Sequence, residues 1–251
     1  MKRLYPALLS FLLLTLLLEI IVQNGLVSNT LIPAPTSIIA TLQELHEDFL
    51  LAFKETFLNV LAGLALSILV GNLIAFVFSL SEILKRAILP FAVFFQTVPI
   101  IAIAPLLVIY FGFGAPTVIA SSFIVSLFPI IANTLMGLES VSDSQKDLFR
   151  IYHASRWQML VKLRVPAAYS YIYSGLKISA GLSIIGAIAG EFVGGGGLGA
   201  LIDSARTQQR VDIVFAALLL LSLMGLLFMG ALAVIHKLIS QRRPFALDSQ
   251  E

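Results

Sequence analysis

Long apolar runs constrain this chain more than any other feature. Hydrophobic residues make up 59% of its 251 residues and charged residues only 12%, whereas a soluble domain is about a quarter charged. A helix needs about 20 mostly apolar residues to cross a bilayer. The sequence therefore predicts an all-α, polytopic membrane protein with six transmembrane helices. The six segments are residues 4–22, 56–79, 88–111, 116–136, 170–192 and 212–236.

Cations concentrate in alternate connections between these segments, which predicts cytoplasmic N and C termini. The connections on the other side contain only Lys54, Arg206 and Arg210. We interpret the first segment as a retained membrane helix, although a cleaved signal peptide is the alternative. The cations on the cytoplasmic side are Lys2, Arg3, Lys85, Arg86, Lys146, Arg150, Arg156, Lys162, Arg164, Lys237, Arg242 and Arg243.

The 137–165 loop is longer than a turn between membrane helices requires. It carries five Lys and Arg residues, and its two halves have helical spacing of apolar residues. These features predict a surface on which a cytoplasmic partner docks. The alternative is a loop that only covers anionic membrane lipid through its cations.

Prolines interrupt the third and fourth segments at Pro99, Pro105 and Pro129. Each removes a backbone donor, so the prolines either kink a packed bundle or bend helices that line a translocation path. Glu191 lies close to membrane depth, where a carboxylate suggests a function, but it could also be solvated or satisfy loop amides. The candidate pathway residues are Gln96, Thr97, Pro99, Asn133 and Glu191.

The sequence predicts no catalytic residues, no metal site and no cofactor bound by this chain. It lacks the G-x-x-x-x-G-K-[ST] pattern of a nucleotide-binding P-loop, and it has no cysteine. Its three histidines fall on different connections. Gly194–Gly197 favours a sharp re-entry of the chain or an external hinge over a dinucleotide site. The net charge of +2 gives no indication of nucleic-acid binding.

Two stretches resemble the permease subunits of ABC importers that use a soluble binding protein. DLFRIYHASRWQMLVKLRVP (residues 147–166) is similar to the cytoplasmic EAA-type loop, and QTVPIIAIAPLLVIYFGFG (96–114) to the proline-rich third segment. The branch they resemble transports nitrate, sulfonates or taurine, and includes pyrimidine-precursor and riboflavin permeases. The resemblance implies a type I importer permease fold, with residues 1–251 as one transmembrane permease domain in the inner or plasma membrane.

The resemblance also implies partners. These are two copies of an ATPase subunit that holds ATP and Mg, a second permease copy in a homodimer, an external solute-binding protein and membrane lipid. His153 stands where the family has a glycine, so the positive-φ turn either persists or is reshaped. The residues implied to dock on the ATPase are Asp147, Leu148, Phe149, Arg150, Ile151, Tyr152, His153, Ala154, Ser155, Arg156 and Trp157.

An ATP-independent secondary transporter or channel is the alternative function. It would require ionisable residues at the membrane midplane or an inverted repeat. The solute stays open among nitrate, sulfonates, bicarbonate, a pyrimidine and riboflavin, and the proline-rich segment favours an organic solute.

Overall fold

The computed structural model describes residues 5–242, in which the regular elements are helices. Lys2, Arg3 and Arg243, which contribute to the predicted orientation, lie outside this range. The helices are α1 Tyr5–Gln23, α2 Pro35–Glu44, α3 His46–Leu80, α4 Glu82–Thr97, α5 Ile100–Phe111, α6 Ala115–Glu139, α7 Asp143–Ile151, α8 Arg156–Met159, α9 Val165–Ala167, α10 Tyr169–Gly194, α11 Gly197–Thr207 and α12 Val211–Arg242, with a π-helical turn at Leu160–Arg164.

Among the residues that the structure describes, four helices are long and apolar enough to cross a bilayer: α3, α6, α10 and α12. The apolar stretches Leu12–Gln23 in α1 and Ile100–Phe111 in α5 are shorter. The all-α membrane fold is thus confirmed, whereas the count of six spans and the cytoplasmic termini stay predictions. Helix α3 begins ten residues before the predicted segment. Glu47 and Asp48 lie in its first turn, where acidic side chains stabilise a helix N-terminus.

The predicted third segment forms two helices, because the chain leaves helical geometry at Val98–Pro99. Pro99 adopts φ −59° and ψ 125° and precedes α5. A proline lacks a backbone donor and disfavours helical geometry in the residue before it. Pro105 and Pro129 instead lie inside continuous helices, α5 and α6. Of the three prolines, Pro99 breaks the segment.

The described residues form two compact units. One contains the residues up to Thr56 with Gly196–Leu223, and the other contains Phe57–Gly195 with the residues from Met224 onward. The single permease domain implied by the resemblance stays a prediction.

Small residues allow α6 and α10 to pack closely in the larger unit. A Cβ atom at Gly186 would lie 2.7 Å from the carbonyl oxygen of Ser121, and one at Gly190 would lie 2.9 Å from the Cα of Val118. Small residues are typical of helix contacts in membranes, where packing rather than hydrophobic burial drives association. Hydrogen bonds add to this contact, since Ser179 Oγ donates to the carbonyl of Ser126 at 2.8 Å.

The smaller unit is tied together by side chains that bind helix ends. Glu19 in α1 accepts hydrogen bonds from the backbone nitrogen and hydroxyl of Thr36 in the first turn of α2. Thr41 in α2 donates to Asp212 at 2.8 Å, and Arg210 pairs with the same carboxylate at 2.7 Å. The Glu19 side chain therefore positions the start of α2.

Candidate functional site

The 137–165 loop is built from two short capped helices. Ser142 caps α7, and its side chain and that of Gln145 bond reciprocally to each other's backbone. Ser155 and Gln158 form the same arrangement at the start of α8. The sequence pattern S-x-x-Q occurs at both positions and is the signature of a capping box. The helical spacing predicted for both halves of the loop is confirmed.

The turn between α7 and α8 contains His153 at φ 51°. This is the left-handed region, which glycine enters without cost and in which histidine is enriched among other residues. The nitrogen of His153 donates to the carbonyl of Arg150, and that of Ala154 to the carbonyl of Phe149. The positive-φ turn is therefore present with histidine at this position.

Apolar side chains in this loop are exposed. Leu148 is 52% exposed, Ile151 73%, Tyr152 78% and Trp157 67%. A shallow groove of about 300 Å³ runs between α7 and α8, with Phe149 and Tyr152 on its wall. Clustered exposed apolar side chains with polar neighbours are typical of a surface that binds another protein.

Charged residues of α7 pair within the helix. Arg150 lies 2.8 Å from the carboxylate of Asp147, and Lys146 lies 3.0 Å from that of Asp143. The hydrogen bond from Lys146, followed by its positive charge, lowers the pKa of Asp143. These surface pairs contribute little to stability.

The C-terminal end of the loop is anchored to the larger unit. Leu160 packs with Leu138 and Ala168, and all three are buried. Arg164 Nη1 donates to the carbonyl of Ser79 at the end of α3, at 3.0 Å. The exposed surface is thus attached to α3, α6 and α10 through buried contacts.

Three predicted pathway residues, Gln96, Thr97 and Pro99, line one cavity of about 570 Å³ at the α4–α5 break. Side chains of α6, including Phe128 and Pro129, form another wall, and Leu182 of α10 contributes to it. The participation of α6 and α10 follows from tertiary packing.

Asn133 and Glu191 do not line this cavity. Asn133 Nδ2 donates to the carbonyl of Pro129 at 2.8 Å, so its amide satisfies backbone near a proline inside α6. The Glu191 side chain is 1% exposed, which argues against the alternative in which it is solvated. The pathway role of both residues stays a prediction.

A further polar contact involves the glycine-rich turn after α10. Gly195, Gly196 and Gly197 all have positive φ. Glu55 Oε2 in α3 accepts from the nitrogen of Gly197 at 3.0 Å, and Thr56 Oγ1 accepts from that of Leu198 at 2.9 Å. These side chains cap α11, a helix that lies outside the six predicted segments. The expected sharp turn is present, but nothing in the sequence near Gly196 indicates its contact with Glu55.

Solved structures contain a similar fold. A chain of the MetNI methionine ABC transporter, in an inward-facing conformation, matches with a TM-score of 0.68 at 17% identity, covering 75% of this chain and 94% of that chain. At this identity the match shows the fold.

Curated relatives are transport permeases with different solutes in their names. The formylaminopyrimidine transport permease protein ThiX of Halalkalibacterium halodurans is 34% identical over 244 residues, 95% of this chain and 97% of that protein. The riboflavin transport system permease protein RibX of Chloroflexus aurantiacus is 31% identical over 157 residues, 62% and 59% of the two chains. The nitrate import permease protein NrtB of Leptolyngbya laminosa is 32% identical over 191 residues, 76% and 63%.

Residues 63–241 match the family described as "Binding-protein-dependent transport system inner membrane component". This family is one of transporters, and its function is ATP-driven import, so the importer interpretation is confirmed over the ATP-independent alternative. The chain belongs to this family of multi-pass inner-membrane proteins and is the permease subunit of an ABC importer.

Proposed function

We propose that residues 147–157 of the 137–165 loop dock on a separate ATPase subunit in the cytoplasm. The observation that supports this most directly is the group of exposed apolar side chains on α7 and the following turn. Aromatic residues and arginines dominate the energetics of protein interfaces, and Phe149, Tyr152 and Trp157 supply the aromatic anchors. Arg150 and Arg156 add positively charged side chains to the same stretch of the loop.

The loop transmits movement to the membrane helices because its C-terminal end is anchored by buried contacts. A displacement of α8 carries Leu160 and Arg164 with it, and these residues contact the ends of α3, α6 and α10. The ATPase is present in two copies and holds ATP and Mg. Its binding and hydrolysis of ATP therefore move these helices between inward- and outward-facing states. An external binding protein delivers the solute.

A second copy of the chain completes the path as a homodimer. Gln96 and Thr97 are exposed in a segment that is otherwise apolar, and polar side chains facing lipid are unfavourable. A second copy removes them from lipid. Because the chain has no cysteine, Thr97→Cys can be tested for disulfide formation between copies in membranes. Leu226→Cys, on an exposed part of α12, is the control expected not to cross-link.

The docking role is tested by purifying the chain from native membranes in mild detergent and assaying ATPase activity in the eluate. Phe149→Asp and Tyr152→Asp should lose the ATPase while the permease stays inserted. Phe113→Asp, an aromatic residue that is 77% exposed in the predicted external turn, should retain it. Full ATPase association in both loop variants would refute the docking role.

A further inference from the structure

None of the described residues that line the cavity at the α4–α5 break carries a charge. Its described walls are aliphatic or aromatic apart from Gln96 and Thr97. Its volume of about 570 Å³ lies within the range of small-molecule sites. A pocket of this kind binds a mainly apolar body and orients it through a few neutral hydrogen-bonding groups.

The broken segment places both kinds of backbone group beside the cavity. Helix α4 ends at Thr97 and α5 begins at Ile100, and each helix end leaves backbone groups without partners in the helix. The end of α4 presents carbonyl acceptors, and the start of α5 presents N–H donors. Pro99 occupies the N-cap position of α5, and its side chain makes no capping hydrogen bond. Irregular backbone at membrane depth is tolerated where it lines a cavity or is buried in protein.

The polar side chains of the lining, Gln96 and Thr97, also contain hydrogen-bond donors and acceptors. The amide of Gln96 carries both donors and an acceptor, whereas the hydroxyl of Thr97 already donates to the carbonyl of Phe94 at 2.7 Å. Among the described lining residues, Gln96 is therefore the one whose side chain is available to form hydrogen bonds with a solute. An oxyanion such as nitrate would lose its hydration here without gaining a cationic side chain, which is costly.

We propose that this cavity binds a neutral, planar heterocyclic solute that carries both hydrogen-bond donors and acceptors. Its ring packs against apolar residues such as Phe128 and Leu182, and its polar edge meets Gln96 and the broken backbone. This proposal rests on the proposed import function. It adds to that function a solute-binding site within the permease itself. Two relatives named for heterocycles, a formylaminopyrimidine and riboflavin, agree with this class.

The test is equilibrium binding to the purified permease–ATPase complex without binding protein. The probes are a radiolabelled formylaminopyrimidine and riboflavin for the proposed class, and nitrate and an alkyl sulfonate for anions. At least one heterocycle should bind saturably, and neither anion should compete. Gln96→Leu should weaken binding about 2- to 12-fold, as expected for one lost hydrogen bond. Leu182→Phe, which fills the cavity, should weaken it as well.

Ile185→Phe is the matched control, because it lies on the same helix, is 58% exposed and does not line the cavity. It should bind the heterocycle as the unmodified chain does. Binding of anions alone, the absence of heterocycle binding, or equal heterocycle affinity in Gln96→Leu and Leu182→Phe would overturn the proposal.

The outcomes separate this proposal from the proposed function. A complex that hydrolyses ATP but binds neither heterocycle refutes the cavity's assignment and leaves the docking role intact. If the ATPase does not co-purify, the docking role fails, and heterocycle binding is then measured on the permease alone in the same detergent.

Discussion

Adding one methyl group at Gly186 should separate α6 from α10. The new Cβ would lie 2.7 Å from the carbonyl oxygen of Ser121 and 2.9 Å from the Cα of Ser122. Both atoms are backbone, so no side-chain rotation relieves the contact. Non-bonded carbon atoms are ordinarily about 3.5–4.0 Å apart. If the helices move apart to accept the methyl group, a gap of about 0.5–1 Å at neighbouring contacts loses a quarter to a half of their dispersion energy. Overpacking of this kind costs about 1–3 kcal/mol.

Gly181→Ala supplies the reference for this prediction. Gly181 lies in the same helix, and a Cβ there meets no atom within 4 Å. The gain in helix propensity, about 1 kcal/mol for glycine to alanine, is common to both variants and cancels in their difference. The free energy of unfolding of Gly186→Ala should therefore be about 1–3 kcal/mol below that of Gly181→Ala. This corresponds to about a 5- to 160-fold difference in the unfolding equilibrium constant.

The assay is a reversible titration from mild into denaturing detergent, with helix content followed by circular dichroism. Both variants are purified in the same mild detergent and compared at equal protein concentration. Equal unfolding midpoints and slopes for Gly186→Ala and Gly181→Ala would refute the inferred close contact between α6 and α10.

Three further predictions concern the ends of helices. Thr56→Val should leave the nitrogen of Leu198 unpaired, cost about 1–3 kcal/mol and speed hydrogen exchange at that amide; unchanged exchange would contradict the capping contact. His153→Gly should preserve solute-stimulated ATPase activity, because it removes left-handed backbone strain of about 1–2 kcal/mol. His153→Val should reduce this activity. Loss of solute-stimulated ATPase activity in the glycine variant would assign His153 a specific role. The hydrogen bond to the Glu139 carboxylate raises the pKa of Lys85, so this pair should stabilise the fold below the ordinary lysine pKa and lose its contribution as pH rises through the raised value. Alkaline unfolding of Lys85→Met, compared with the unmodified chain, should lack this pH-dependent step.

The long apolar runs were predicted from the sequence, and other local patterns explain further secondary structure that was not predicted. The apolar runs of α3, α6, α10 and α12 cannot be placed in water, so their length alone predicts membrane helices. The two S-x-x-Q patterns cap α7 and α8 through contacts three residues apart. The break at Pro99 follows from the missing donor and the restricted residue before it. In each case the residues responsible are neighbours in sequence.

Contacts between distant residues were decided by the tertiary structure. Glu55 and Thr56 meet the turn at Gly197 and Leu198 across 142 positions, and no periodicity in either segment encodes that meeting. The cavity likewise combines Gln96 with Phe128 and Leu182 from two other helices. Ser179 of α10 donates to the carbonyl of Ser126 in α6, a partner 53 positions away that no local pattern indicates. Which polar groups satisfy backbone and which remain for a solute is a property of helix packing, because it depends on which faces meet.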